Sequence, residues 1–154
     1  MPKIIHNISV TVFEKNKDNI TQCKEAFTYL LPLDFEKEKI HVSLESVEGF
    51  QQKTISILRL KTTKKRHNEL LMQTLFSKLN DIDKKRIGKQ YLTRLNQDGY
   101  FFIRLKKKQF LKNNFVLTDS GDCFHIKIKL AGFPAKWENF VNAAKSLLNK
   151  YNCS

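Results

Sequence analysis

The sequence predicts an α+β fold in a single domain, with a sheet of about five strands and helices packed on one face. Three observations predict it. Segments whose apolar residues alternate with a period of two are interleaved with segments whose apolar residues recur every three or four positions. The 154 residues are one domain's length, and with five Gly, three Pro and no repeat or low-complexity linker, nothing divides residues 1–154 into two domains. The apolar share of 41%, rich in Phe, is enough to build a core, which separates the chain from disordered polyelectrolytes.

The elements follow in order. Residues 4–13 alternate, with Ile4, His6, Ile8, Val10 and Val12 on one side and Asn7, Ser9 and Thr11 on the other, the period of a half-buried strand. Asn16 or Asp18 then caps a helix in which Ile20, Cys23, Phe27, Leu30 and Leu31 form one stripe, and Pro32 stops it. Strands follow at about 38–47, with Ile40, Val42 and Leu44 in phase, and at about 54–62, with Gly49 in the connection. Thr63 or a nearby polar residue opens a helix through Leu71, Met72, Leu75, Phe76 and Leu79. Asp81 or Asp83 caps another that reaches Leu95 by way of Ile87, Tyr91 and Leu92. Gln97-Asp98-Gly99 is a turn. Strands at about 100–106 and 123–131 flank a long basic segment holding Phe110 and Phe115. The last helix follows Pro134, with Phe140, Val141, Ala144, Leu147, Leu148 and Tyr151 as its stripe and Trp137 as its seat.

Charge carries the functional signal. Lys and Arg number 28 against 15 Asp and Glu, a formal +13. Much of the surplus sits in two acid-free runs, Arg59 to His67 and Arg104 to Lys112. Such self-repulsion adds nothing to folding stability, so the runs point to a polyanionic partner, with nucleic acid first among them. Lys64, Lys65 and Arg66 stand where a strand passes into a helix. Cations there oppose the helix dipole, while the free backbone N–H groups favour a phosphate.

The period of two sorts the late strands by face. Phe124, Ile126, Ile128 and Leu130 oppose Cys123, His125, Lys127, Lys129 and Ala131, and Phe101, Ile103 and Leu105 oppose Tyr100, Phe102, Arg104 and Lys106. With helices over the apolar face, the other face gathers cations with Tyr100 and Phe102 among them. That is the composition of a platform on which bases stack and phosphates meet Lys and Arg.

Three unpaired cysteines, Cys23, Cys123 and Cys153, without a C-x-x-C spacing, argue against a disulfide framework or a zinc knuckle and for a reducing compartment. The start, Met1-Pro2-Lys3-Ile4-Ile5-His6-Asn7, breaks its apolar run early. No stretch approaches the roughly 18 apolar residues of a membrane span, so the expected location is cytoplasmic, with no membrane partner. No phosphate-binding glycine loop or hydrolase motif is present, and no cofactor is expected. Asp119-Ser120-Gly121-Asp122 with His125 is the one grouping that could hold a divalent metal for phosphodiester cleavage, although the same residues form an ordinary turn before a strand. His6, His41 and His67 are scattered and read as structural.

Four segments also carry a family resemblance. They are Val47-Glu48-Gly49-Phe50, the Leu60-Lys61-Thr62-Thr63-Lys64-Lys65-Arg66 junction, Asp98-Gly99-Tyr100-Phe101-Phe102-Ile103-Arg104-Leu105-Lys106-Lys107-Lys108-Gln109, and Phe133-Pro134-Ala135-Lys136-Trp137-Glu138-Asn139. In this order and spacing the sequence resembles, over nearly its whole length, the archaeal RNA-binding proteins known as exosome-associated, formerly a domain of unknown function. The resemblance implies a fold similar to the ribosomal protein that binds 5S RNA, with helices on one face of a mixed or antiparallel sheet, and partners in an RNA-processing complex. The chain departs from that family at Phe50-Gln51-Gln52, where Gly-rich or His-rich residues are common, and at Lys106, where an Asp is often found.

The expectation is thus a non-catalytic, RNA-binding-like domain. Its expected RNA contacts are Lys61, Lys64, Lys65, Arg66, His67, Tyr100, Phe102, Arg104, Lys106, Lys107, Lys108, Lys112, His125, Lys127 and Lys129. Two alternatives from other classes stay open: a metal-dependent ribonuclease built on Asp119, Asp122 and His125, and an adaptor whose basic patches dock an acidic protein.

Overall fold

A computed structural model describes residues 3–49, 51 and 53–153. Met1 and Pro2, and Phe50 and Gln52 of the loop after Gly49, lie outside the described residues, as does Ser154. One six-stranded sheet forms the body of the molecule, in the order β2-β3-β1-β6-β4-β5. Its strands are β1 (Ile5–Glu14), β2 (Val42–Glu48), β3 (Thr54–Thr62), β4 (Tyr100–Lys106), β5 (Leu117–Thr118) and β6 (Cys123–Leu130). Every neighbouring pair is antiparallel. The strand beyond the expected five is β5, two residues paired with Arg104 and Leu105 inside the segment read as a loop.

The helices α1 (Ile20–Leu30), α2 (Lys65–Lys78), α3 (Asp81–Lys89), α4 (Lys107–Phe110) and α5 (Trp137–Lys150) complete the chain, with a short 3-10 turn at Lys17–Asn19. The core lies between sheet and helices. Ile8, Val10 and Val12 of β1, Leu58 and Leu60 of β3, Phe101, Ile103 and Leu105 of β4, and Phe124, Ile126 and Ile128 of β6 are fully buried there. Against them the helices place Phe27, Leu71, Met72, Leu75, Ala144 and Leu147, the residues at three- and four-residue spacing. Burying a side chain of this size contributes roughly 1.5–3 kcal/mol, so this single layer holds the fold.

Four local features depart from the sequence expectation, each for a physical reason. A bulge in β1 sets Ile5 opposite Leu130 and Asn7 opposite Lys129, so His6 is left as the extra residue and is exposed instead of sharing the face of Ile8. β2 begins at Val42 because the Asp34 carboxylate accepts the N–H groups of Glu36 and Lys37, folding 34–39 into a turn. Asn80, not Asp81 or Asp83, caps α3 by accepting the Asp83 N–H at 2.7 Å; the Asp83 carboxylate accepts the Leu117 N–H and so anchors β5. α3 ends at Lys89, short of Leu95, because residues 90–95 turn back to β4, where the Arg94 carbonyl accepts the Phe102 N–H.

Gly99 is needed where it stands. Its φ is +84°, and a Cβ would lie 2.5 Å from the Phe140 ring, which packs over the turn between the Asn96 cap and β4.

Candidate nucleic-acid interface

The face of the sheet away from the helices is built by the register. Ser43, Arg59, Thr11, His125, Arg104 and Thr118 lie side by side, one from each strand in sheet order. The next rows hold Lys61, Ser9, Lys127 and Phe102, then Asn7, Lys129 and Tyr100. With strands about 4.8 Å apart, the run from Arg59 to Arg104 crosses roughly 14 Å of surface. On the four inner strands β3, β1, β6 and β4 this face carries no carboxylate at all. Six cations, Arg59, Lys61, Arg104, Lys106, Lys127 and Lys129, stand on it.

The aromatics are engaged with their basic neighbours. Lys127 Nζ lies 4.1 Å and Lys129 Nζ 4.9 Å from the centre of the Tyr100 ring, cation–π contacts that hold two ammonium groups beside one aromatic. Lys129 also donates to the Asp98 carbonyl. Phe102 stacks on His125, with centroids 5.3 Å apart and planes inclined by 20°. Burial, with Arg104 and Lys127 nearby, lowers the His125 pKa below its ordinary value, so the imidazole is neutral at pH 7. Its Nε2 is buried without a partner.

The expected contact residues do not all share this surface. Lys61, Tyr100, Phe102, Arg104, Lys106, His125, Lys127 and Lys129 do. Lys64, Lys65 and Arg66 are exposed just beyond the end of β3 at the start of α2; Arg66 pairs with Glu38 at 2.6 Å and Lys65 with Glu69 at 3.8 Å. His67 is instead buried on the inner side of α2, 3.6 Å from Glu38. Lys108 is exposed on α4. Lys112 precedes Asn113, whose side chain binds Lys78 of α2, so it belongs to the helical side.

Lys107 is the clearest departure. It is 6% exposed, donates to the Phe13 carbonyl at 2.6 Å, and pairs with Glu14 at 3.0 Å and Asp122 at 3.3 Å. Its ammonium group is turned into the molecule and is not presented to a ligand.

The grouping that suggested a ribonuclease comes apart. Asp119 binds Arg86 and, at 3.0 Å, Arg94, Asp122 binds Lys107, and His125 lies under Phe102. The small burial of Asp119 pushes its pKa up, but Arg86 and then Arg94 outweigh it and hold the carboxyl below its usual range. Among the described residues, no three His, Cys, Asp or Glu side chains gather in a geometry able to hold a metal ion.

Two basic residues outside the expected set border the face. Arg59 stands on it, with its Nε donating to Thr11 Oγ1 at 3.3 Å; its parity with Lys61 was the available signal. Arg94, 7% exposed, carries no signal in the sequence, because the spacing of Ile87, Tyr91, Leu92 and Leu95 is that of a continuing helix.

No described helix is long and apolar enough to cross a membrane. A family model described as RNA binding matches residues 7–130, from β1 to the last residue of β6. The RNA-binding protein PAB1135 of Pyrococcus abyssi is 22% identical over 143 residues, covering 93% of either chain. Solved structures of DUF54 proteins superpose closely. The one from Methanothermobacter thermautotrophicus has a TM-score of 0.74 at 25% identity over 95% of this chain and 99% of its own. That from Archaeglobus fulgidus reaches 0.80 at 20% identity over 93% and 99%. The family match takes in all of the sheet but the first two residues of β1, with every cation on its open face, and by that match the chain belongs to the RNA-binding family.

Proposed function

We propose that the protein is a non-catalytic RNA-binding protein that lays RNA across the open face of its sheet. Arg59, Lys61, Arg104, Lys106, Lys127 and Lys129 meet phosphates, and Phe102 and Tyr100 offer ring surface to unstacked bases. Lys64, Lys65 and Arg66 extend the basic track beyond the end of β3. The observation that carries the reading is the absence of any carboxylate from that face across four strands. The Pyrococcus abyssi relative, named an RNA-binding protein, supports the same reading. A cytoplasmic location and partnership with an RNA-processing complex, as the exosome-associated resemblance implies, form the finer part of the proposal.

A salt titration of binding to single-stranded RNA tests it. Each neutralised phosphate contributes roughly −0.7 to the slope of log K against log salt, so four to six contacts give about −3 to −4. A slope near zero sinks the reading.

A further inference from the structure

Beside the open face lies a pocket of about 430 Å³ lined by Gln90, Thr93, Arg94, Phe102, Arg104 and Asp119. Its volume falls within the range of small-ligand sites. Three features suit it to one kind of occupant.

The first is an orphaned donor. Arg94 is 93% buried by its 7% exposure, and it spends its terminal nitrogens on Gln90 Oε1, Asp119 Oδ1 and the Phe102 carbonyl, yet its Nε–H has no partner. A buried N–H left unpaired costs free energy, so the protein alone leaves this pocket-wall side chain incompletely satisfied. The second is excess charge. Arg86 and Arg94 both bind the one carboxylate, Asp119, while Arg104 lines the same pocket and, among the described residues, makes no ion pair and donates no hydrogen bond. The planar guanidinium, with five donors, matches phosphate geometry. The third is an aromatic wall. Phe102 lines the pocket while His125 stacks on it, so the ring is already held in place before any base arrives.

We infer that this pocket seats a single nucleotide of the bound RNA, its base against Phe102 and its phosphate on the Arg104 guanidinium. The inference rests on the RNA reading but narrows it: the sheet tracks the backbone, and the pocket takes one nucleotide out of the strand. Thr93 and Gln90 line the remaining wall and supply polar groups for the edge of the base or the ribose.

The test uses the full chain and three probes: adenosine 5′-monophosphate, ribose 5-phosphate, and a uridine RNA octamer. The Nε–H signals of Arg94 and Arg104 and the Phe102 ring signals are followed by NMR. The mononucleotide is expected to shift all three saturably, and ribose 5-phosphate to bind about tenfold more weakly for want of a stacked base. Phe102→Leu should erase that difference, and Arg104→Gln should weaken both small probes. Amide spectra away from the pocket verify that each variant is folded. Equal binding of the two small probes to the parent overturns the nucleotide seat. So does octamer binding that both variants keep at parental strength, in which case the RNA reading survives without the pocket. If the mononucleotide titrates the pocket and the octamer does not bind, the seat stands and the RNA reading falls.

Discussion

Lys107 Nζ lies 3.0 Å from Glu14 Oε1, joining the start of α4 to the end of β1 on the sheet's core side, and both residues are 6% exposed. A charge from one of the two acid-free basic runs is thereby spent on the fold. Glu14 also accepts the Asn16 N–H, and Cys23 donates to it.

Lys107→Ala is therefore expected to destabilise the protein while leaving RNA affinity close to that of the parent. Breaking a buried pair costs about 3–5 kcal/mol, and with Asp122 open to water the expected loss is about 2–3 kcal/mol. Denaturant unfolding together with RNA titration checks both halves; unchanged stability with weakened binding would show the ammonium group working at the surface.

Lys64→Ala combined with Lys65→Ala should do the reverse. Both side chains are exposed at the start of α2, and removing them relieves the helix dipole, so stability holds or rises slightly. RNA binding should weaken for all sequences alike, with the salt slope shallower by about 1.4.

Phe102→Leu and Tyr100→Leu keep apolar bulk but lose the aromatic surface, and each should cost about 1–3 kcal/mol in RNA affinity. Tyr100→Leu also frees Lys127 and Lys129 from their cation–π contacts. Parental affinity in both variants would leave only the charge argument standing.

His125 gives a pH signature. Its folded pKa is depressed by burial and by Arg104 and Lys127, so the unfolded chain binds more protons and stability falls as pH drops through the ordinary histidine range toward the folded value. Phosphates laid over the same cations would relieve the depression. RNA is then expected to raise the His125 pKa and to bind more tightly as the pH falls through the range in which His125 titrates; an imidazole titration that RNA leaves unmoved would place the strand elsewhere.

Asp122→Ala distinguishes binding from cleavage. The purified protein is expected to show no divalent-dependent turnover of labelled RNA, and the substitution is expected to affect stability through Lys107 alone. Turnover stopped both by a chelator and by this change would restore the ribonuclease alternative.

The alternation in β4 and β6 is legible because each strand is long enough to show its period, and the period alone puts Tyr100, Phe102, Arg104, Lys127 and Lys129 on one face. The same parity held the answer for Lys107 and Glu14. Lys107 continues the phase of Phe101, Ile103 and Leu105, and Glu14 that of Ile8, Val10 and Val12, so two opposite charges fell in step with the core. Reading Lys106 to Lys108 as one charge run hid this. Other features leave no periodic trace. A two-residue strand at Leu117–Thr118, a bulge at His6 and the turn carrying Arg94 all arise from tertiary contacts, and the pocket beside Phe102 depends on that turn.

The first strand of this sheet is made long before its neighbour. β1 lies between β3 and β6, and β6 follows it by more than a hundred residues, so one edge of the central strand waits unpaired while they are added. Its pairing with β6 closes a long loop, an entropic cost that makes such non-local contacts slow to form. During that interval the exposed edge of β1 can pair wrongly or recruit another nascent chain. Asn7, Ser9 and Thr11 make one side of the waiting strand hydrophilic. The two halves of the basic face, Arg59 and Lys61 on one side of β1 and Lys127 and Arg104 on the other, come into existence together only when that gap closes. A truncated or unfolded chain would carry the positive charge without the arrangement that gives it a face.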